Sequence, residues 1–235
     1  MSILFRVNRN GTPINPRTNN PPTPYLITLF EHNLGFDTHK LYNITFDSNH
    51  TVQTLVTSSP DHADMWFIET LILSIPSSAI IGLHIEWSPN PLGGQSSTPA
   101  TLQLCINNIC LIYQIIHAPY ICPSISNFLA DPTNVFVGVG IKAGVEKLLS
   151  DYNYSVAKYI DLRSLAAWKL NDREMLSSGL KTLAERVLGK VVEKPQSIAM
   201  SRWDNPQLSA DQVKYATLDA HVSCEIGRRL CSNQI

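Results

Sequence analysis

One stretch decides the fold class, and it reads Val135-Phe-Val-Gly-Val-Gly-Ile-Lys-Ala-Gly-Val-Glu-Lys-Leu148. Its first seven residues are almost wholly apolar, which is typical of a strand buried on both faces of a sheet. We therefore predict a strand over Val135–Ile141 that turns directly into a helix. From about residue 142 the pattern alternates between strands and helices and ends in helices, which indicates an α/β fold.

The sequence before this stretch is rich in strands. Lys40–Phe46 and Thr51–Thr57 are separated by the turn-forming residues 47–50, so the two runs predict a hairpin. Ala79–Trp87, Ala100–Ile106 and Ile109–Ile116 predict three more strands. Antiparallel strands followed by strand/helix units predict a mixed sheet flanked by helices.

Three helices are predicted outside the strand/helix alternation, two of them from their start signals. Ser59 offers an N-cap and Pro60 a first helical residue, which predicts a helix that continues to about residue 74. A short helix is predicted near Ser124–Leu129. The last helix begins with Ser209 and Gln212, which have the spacing of a capping box.

Length and composition indicate one globular domain. The chain has 235 residues, of which 44% are hydrophobic, and its formal net charge is -1. Residues 1–25 are rich in Asn, Pro and Thr and predict a disordered tail.

No apolar run approaches the ~18 residues that a membrane-spanning helix needs, and no export signal is evident. We expect an intracellular protein of the cytoplasm or nucleus.

The charges are distributed unevenly. Residues 1–141 carry 4 basic and 8 acidic side chains, whereas residues 142–235 carry 14 and 11. The overall balance excludes a strongly basic protein that coats nucleic acid, but a polyanion should meet the C-terminal part. Five basic residues could line a path for phosphates or could simply be solvated on their helices. They are Lys181, Arg186, Lys190, Lys194 and Arg202.

The five cysteines predict reduced thiols, because the count is odd and no export signal precedes them. Cys105, Cys110, His117 and Cys122 match no familiar zinc-ligand spacing. Cys105 and Cys110 also lie in apolar runs that resemble strands, so buried core thiols are the favoured interpretation.

Two further segments carry candidate functional side chains. Ile80-Ile-Gly-Leu-His-Ile-Glu-Trp87 is a predicted strand, and residues two apart in a strand share a face, so His84 and Glu86 project together. Tyr215-Ala-Thr-Leu-Asp219 lies in the last predicted helix, where residues four apart share a face.

In this order and spacing, the three segments resemble the exonuclease domain of the Werner syndrome type, above all its small stand-alone plant members. This group belongs to the 3'-5' exonucleases of the ribonuclease D (DEDDy) superfamily. The resemblance extends over about residues 38–232 and implies a ribonuclease H-like fold with a mixed sheet of five to six strands flanked by helices.

The resemblance also implies a reaction. In the family, two divalent ions, Mg²⁺ or Mn²⁺, bind between four acidic side chains and the scissile phosphate, and a tyrosine orients the attacking water. Glu86 and Asp219 match two of the metal-binding acids, and Tyr215 matches the tyrosine. The implied ligand is a 3' end of single-stranded RNA or DNA.

Two of the four acids are replaced. His84 stands where the first motif has Asp, and Gly144 stands where the second motif has Asp. Each missing charge is worth on the order of a few kcal/mol at an effective dielectric constant of ~20, so the affinity for Mg²⁺ should fall steeply. His84 could bind Mn²⁺ or Zn²⁺, but a hydrogen bond to Glu86 or Asp219 is the favoured interpretation.

Two functions remain open. The first is a 3'-5' exonuclease-family protein that binds single-stranded 3' ends and whose metal-dependent phosphodiester hydrolysis is weak or lost. The alternative is a catalytically inactive nucleic-acid-binding or scaffold subunit of an oligomer, which could be a homo-oligomer or a ring. Trp87 and Trp203 are predicted to pack in the interior rather than to stack on bases.

Overall fold

The fold is an α/β arrangement in three layers, seen in a computed structural model that describes residues 21–35, 38–74, 79–89 and 97–232. The strands of the described residues are β1 Thr23–Pro24, β2 Ile27–His32, β3 His39–Phe46, β4 His50–Thr57, β5 Ile80–Trp87, β6 Pro99–Ile106, β7 Ile109–Tyr113, β8 Val135–Gly138, β9 Tyr159–Asp161 and β10 Lys190–Val191. The helices are α1 Pro60–Ser74, α2 Pro123–Ala130, α3 Ile141–Tyr152, α4 Leu162–Leu170, α5 Leu180–Leu188, α6 Gln196–Ala199 and α7 Ala210–Cys231.

One mixed sheet organises the molecule, with the strand order β2-β3-β4-β7-β6-β5-β8-β9. The strands pair antiparallel from β2 to β4 and from β7 to β5, whereas the β4–β7, β5–β8 and β8–β9 pairs are parallel. A separate two-stranded sheet joins β1 to β10. The predicted α/β class and mixed sheet are confirmed.

The sheet is wider than the five to six strands that we predicted, because eight strands pair in the described residues. The additional strands include both edges. Ile27–His32 has only exposed and half-buried side chains, and Tyr159–Asp161 has three residues. Only Ile27 and Leu29 of the first segment pack on the core, and three residues are too few to show a period, so both segments give a weak strand signal.

Two of the predicted strands end earlier than expected. The predicted strand Val135–Ile141 stops at Gly138, because Gly140 takes a positive φ of 66° and α3 begins at Ile141. The strand predicted over Ile109–Ile116 stops at Tyr113 and passes into a 3₁₀ turn. An apolar run by itself does not distinguish a strand from a short buried helical turn.

Two apolar clusters fill the two sides of the sheet. One contains side chains of α4, α5 and α7, and the other contains side chains of α1, α2 and α3. The predicted N-terminal signals of α1 and α7 are present. The Oγ of Ser59 accepts a hydrogen bond from the backbone of His62 at 3.5 Å, and Ser209 and Gln212 form the capping box.

The predicted tail over residues 1–25 falls mostly outside the described residues. Within its last part, the backbone N–H of Thr23 donates to the carbonyl of Gly189 at 3.0 Å, and that of Tyr25 donates to Val191 at 3.1 Å. The Tyr25 ring packs edge-on against Phe46, with 5.5 Å between the ring centroids. In the described parts of the chain, no helix has both the length and the apolar character needed to cross a membrane.

Candidate functional site

Strand β5 and helix α7 approach each other closely enough for their backbones to touch. A Cβ at Gly82 would lie 1.9 Å from the carbonyl oxygen of Ala220, so only glycine fits at this point of β5. The hydroxyls of Thr54 and Thr217 form a buried hydrogen bond of 3.1 Å, which fixes α7 to β4 as well. This close packing brings the side chain of Asp219 to the face of β5 that carries His84 and Glu86.

His84, Glu86 and Asp219 form one cluster. The Nε2 atom of His84 lies 3.2 Å from Oε1 of Glu86 and 3.2 Å from Oδ2 of Asp219. The side chain of Asp219 is fully buried and that of Glu86 is nearly so, whereas 23% of the His84 side chain is exposed. The two carboxylates predicted from the sequence therefore do meet, and the imidazole lies between them. The predicted hydrogen bond from His84 to Glu86 is present.

Lys194 completes this cluster with a second cation. Its ammonium lies 2.6 Å from Oδ2 of Asp219 and 4.8 Å from the centre of the Tyr215 ring. Sequence analysis proposed Lys194 only as one of five residues along a phosphate path. Its position on the carboxylate could not be predicted, because Lys194 lies between β10 and α6, where no periodic pattern fixes the direction of a side chain.

The neighbouring carboxylates favour the charged forms of His84 and Lys194. Burial disfavours the imidazolium of His84, but the negative charge of Asp219 and the hydrogen bond to Glu86 outweigh it and raise the pKa of His84. Burial likewise disfavours the ammonium of Lys194, and the charge and hydrogen bond of Asp219 raise its pKa above the usual value. The two carboxylates thus face two cationic side chains.

Tyr215 packs above this cluster, one helical turn before Asp219. Its ring lies 5.9 Å from that of Trp203, and burial followed by the charge of Asp219 raises the pKa of its hydroxyl. Trp203 is fully buried, and its indole N–H donates to the carbonyl of Ala199 at 3.1 Å. Trp203 therefore has a packing role, as predicted, and offers no surface for a base.

Gly144 lies on α3, directly behind β5. A Cβ at this position would lie 2.8 Å from the Cδ1 atom of Ile85, which is closer than real Cβ contacts allow. An acidic side chain at position 144 therefore requires Ile85 to move. Glu146 and Asp151, the neighbouring acids of α3, pair with Lys142 and Lys147 respectively and do not replace the missing ligand.

The residues present fit one metal ion better than two. The ligand atoms of His84, Glu86 and Asp219 all lie within 4.8 Å of one another, and no second such group of three occurs among the described residues. The Oδ1 atom of Asp219 is buried and has no hydrogen-bond partner among the described residues, so it is an acceptor that the protein itself leaves unsatisfied. Two Mg²⁺ ions, by contrast, need more oxygen ligands than two carboxylates supply.

The other basic residues predicted along a phosphate path lie apart from this cluster. Arg186 pairs with Asp172 at 2.6 Å, and Lys190 pairs with Asp47 at 2.7 Å in the turn between β3 and β4. Arg202 forms two hydrogen bonds of 2.8 Å with Asp204. Lys181 is exposed on α5.

A mixed sheet between helices, with His84 and Glu86 on the interior strand β5 and Asp219 on α7, has the architecture of the ribonuclease H-like class. Residues 64–233 match the family model described as 3'-5' exonuclease, and the chain belongs to this family. The family that the three motifs predicted is confirmed.

The chain is similar to two curated proteins in particular. It is 35% identical to a 3'-5' exonuclease of Arabidopsis thaliana over 62% of this chain and 50% of that protein. It is 30% identical to the bifunctional 3'-5' exonuclease/ATP-dependent helicase WRN of Mus musculus over 69% of this chain and 12% of that protein. The chain thus spans half or less of the length of these relatives.

The fold also matches a solved structure. Ribonuclease D of Escherichia coli, described as an exoribonuclease involved in structured RNA processing, superposes with a TM-score of 0.62 at 19% identity. The match covers 74% of this chain and 43% of that one. At this identity the likeness shows the fold alone, and it agrees with the predicted ribonuclease H-like class.

Proposed function

We propose that this protein binds 3' ends of single-stranded RNA or DNA in an exonuclease pocket whose Mg²⁺-dependent hydrolysis is weak or lost. One observation carries the proposal: the two carboxylates of the pocket are already paired with cations of the protein itself. Lys194 lies 2.6 Å from Asp219, and His84 lies 3.2 Å from both carboxylates.

Charge balance explains why hydrolysis should be weak. Four carboxylates in one pocket repel each other until divalent cations neutralise them, and this repulsion drives metal binding. Here Glu86 and Asp219 lie against His84 and the ammonium of Lys194, so their negative charge is already partly compensated by the protein. A divalent ion would have to displace cations that are already well placed, and Mg²⁺ gains little from an imidazole ligand.

The remaining residues retain their places for the family reaction. In any residual hydrolysis, Glu86 and Asp219 would hold the metal, which would activate a water and stabilise the leaving oxygen. Tyr215 would orient the attacking water from its position one turn before Asp219. Without a metal, His84 and Lys194 would offer positive charge to the terminal phosphate in the same pocket.

The outer part of the binding path is proposed to use the exposed basic residues. Arg202 immediately precedes Trp203, whose ring lies 5.9 Å from that of Tyr215, and its side chain is exposed. Its carboxylate partner Asp204 holds it in one orientation at 2.8 Å. Lys181, Arg186 and Lys190 would add longer-range attraction, which weakens as the salt concentration rises.

The experiment compares binding and trimming of the same oligonucleotides. Linear and circular single strands of RNA and DNA, labelled internally, are titrated in EDTA and then incubated with Mg²⁺ or Mn²⁺. We expect linear strands to bind more tightly than circular ones in EDTA, with little trimming in Mg²⁺. Equal binding of both forms would contradict end recognition, and rapid trimming in Mg²⁺ would contradict the loss of hydrolysis.

A restored variant sharpens this test. His84→Asp and Gly144→Asp return the two acids, and Ile85→Val removes the Cδ1 atom that would collide with a Cβ at position 144. We expect the triple variant to trim linear strands in Mg²⁺ and Ile85→Val alone to behave like the natural protein. Adding Asp219→Asn to the triple variant should abolish the gained activity.

The second candidate, a scaffold subunit of an oligomer, is supported by an exposed apolar strip on α1. Met65 and Ile68 lie on one face of this helix and are 57% and 58% exposed, and Tyr120, which is 53% exposed, hydrogen-bonds to Asp61 at the start of the same face. Sedimentation velocity tests whether this strip is an interface. We expect the natural protein to sediment as an oligomer and Ile68→Lys to sediment as a monomer. A monomeric natural protein would rule this candidate out.

We also propose an intracellular location, in the cytoplasm or nucleus. All five cysteines are unpaired, and four of them are buried. Free thiols persist in reducing compartments, whereas exported proteins usually pair them.

A further inference from the structure

The donor set of the pocket differs chemically from a set of carboxylates. One imidazole nitrogen replaces an oxygen ligand between Glu86 and Asp219. Hard ions such as Mg²⁺ prefer oxygen and keep much of their hydration shell, whereas Zn²⁺, Co²⁺ and Mn²⁺ accept imidazole nitrogen readily. The replacement at position 84 therefore changes which ion the pocket selects, as well as lowering its charge.

The spacing of the ligand atoms suits a single small ion. Ligands of a tetrahedral ion with bonds of ~2.0–2.1 Å lie roughly 3.4 Å apart. The Nε2 atom of His84 lies 3.2 Å from a carboxylate oxygen of Glu86 and from one of Asp219. All three ligand atoms lie within 4.8 Å of one another, so the side chains must rotate inward to surround one ion, and a protonated His84 would release its proton on binding. The His84 side chain is 23% exposed, so water can reach this part of the pocket.

An independent observation points to a ligand at this place. The Oδ1 atom of Asp219 is buried without a hydrogen-bond partner among the described residues, although its Oδ2 atom contacts both cations. A buried carboxylate oxygen without a partner is unfavourable and is commonly satisfied by a metal or a water. The protein thus keeps an unused strong acceptor beside two potential ligands.

We propose that His84, Glu86 and Asp219 form a site for one divalent transition-metal ion, of the Zn²⁺ or Mn²⁺ type, that excludes Mg²⁺ and for which Lys194 competes. The Lys194 ammonium contacts Oδ2 of Asp219, the oxygen that also faces His84. Its positive charge would repel a metal ion at the same oxygen. This inference rests on the proposed function only for the location of the pocket, and its test uses no nucleic acid.

The test measures metal affinity directly. The full chain with Cys231→Ser, which removes the exposed thiol, is stripped with EDTA and titrated with Zn²⁺ and with Mg²⁺ by calorimetry. We expect one Zn²⁺ per chain and no Mg²⁺ binding at the same concentrations. His84→Ala should weaken Zn²⁺ binding at least ~100-fold, in line with the loss of one of three ligands. His117→Ala, which removes an exposed histidine outside the cluster, should leave it unchanged.

The decisive variant is one that gains affinity while its melting temperature matches that of the natural protein, since an opened chain would expose four buried thiols that also bind Zn²⁺. Lys194→Met removes the competing cation and should tighten Zn²⁺ binding at least ~10-fold. Lys190→Met is the matched control, because Lys190 pairs with Asp47 instead, and it should leave the affinity unchanged. Equal binding of Zn²⁺ and Mg²⁺, unchanged affinity in His84→Ala, or unchanged affinity in Lys194→Met would each overturn the proposal. Failure to bind oligonucleotides would overturn the proposed function but not this site.

Discussion

Ile85 determines what can be placed at position 144. Its Cδ1 atom would lie 2.8 Å from a Cβ at Gly144, so Gly144→Ala forces a repacking in the core. Overpacking of this kind costs about 1–3 kcal/mol, which exceeds the ~1 kcal/mol that alanine gains over glycine inside a helix. We expect Gly144→Ala to lower the free energy of unfolding by up to about 2 kcal/mol, the difference between these two effects.

A double-mutant cycle isolates this contact. Ile85→Val deletes the colliding atom, so in that background Gly144→Ala should be neutral or stabilising. Urea denaturation of the four proteins measures the coupling. If the cost of Gly144→Ala is the same with Ile and with Val at position 85, the clash is not its cause.

The thiols differ sharply in accessibility. Burial raises the pKa of Cys122 and of Cys224 to about 12, so their thiolate populations at pH 8 are negligible. Cys231 is exposed near the end of α7. We expect Ellman's reagent to modify one thiol in the folded protein and five in urea. Cys231→Ser should leave no fast-reacting thiol, and a second fast one would show that a buried cysteine opens to solvent.

At the scale of elements, the contact between α7 and β5 holds the site together. A Cβ at Gly82 would lie 1.9 Å from the carbonyl of Ala220, and backbone cannot yield as a flexible side chain does. Gly82→Ala should therefore displace α7 and lower the free energy of unfolding by about 3 kcal/mol or more. Gly179→Ala is the control, because a Cβ there meets nothing within 4 Å. Similar melting temperatures of the two variants would refute the close approach.

Asp161 links the start of α4 to the start of α3. Its carboxylate accepts hydrogen bonds from the backbone of Arg163 at 3.0 Å and of Gly140 at 3.1 Å, and from the Arg163 guanidinium at 2.6 Å. Burial opposes ionisation, but the hydrogen bonds of Arg163 outweigh it and lower the pKa of Asp161. The group thus stabilises the fold above pH ~4, the unfolded value, and the contribution is lost as the pH falls through the folded value.

Asp161→Asn keeps a capping oxygen and removes the charge. We expect it to destabilise the protein by about 1–2 kcal/mol at pH 7, since hydrogen bonds to a charged group are lost. The difference from the natural protein should shrink as the pH falls from ~4 through the lower folded pKa of Asp161, below which the carboxyl is neutral in both states. Urea unfolding at pH 7, 5 and 3 measures it, and a difference that does not vary with pH would exclude the electrostatic explanation.

At the scale of the whole molecule, local signals account for the parts of the fold that the sequence predicts. The hairpin of β3 and β4, the capped start of α1 and the capping box of α7 are each encoded within a few neighbouring residues. The edge strand β9 has three residues and exists only through its pairing with β8. Such strands depend on contacts distant in sequence, which local patterns do not contain.

The functional site likewise combines features that the local sequence predicts with features that depend on contacts distant in sequence. The shared face of His84 and Glu86 follows from the two-residue period of a strand, and the place of Asp219 follows from family resemblance. The ion pair between Lys194 and Asp219 joins residues 25 apart in sequence, from a segment between β10 and α6. Likewise, the collision of position 144 with Ile85 depends on the distance between a helix and a strand. Both features determine the chemistry of the pocket, and both required the three-dimensional structure.

Residues 23–25 are part of the folded unit. Residues 1–25 are predicted from the sequence as a tail, yet the ring of Tyr25 packs on that of Phe46. The ammonium of Lys190 lies 5.4 Å from the centre of the Tyr25 ring. The backbone of Thr23 also pairs with Gly189. We expect a chain of residues 21–235 to melt like the full chain, whereas residues 26–235 should lose about 2–3 kcal/mol, because an aromatic side chain and two backbone hydrogen bonds are removed. Tyr25→Ala in the full chain is the matched variant and should account for most of that loss. Equal stability of the two truncated chains would place the boundary after Tyr25.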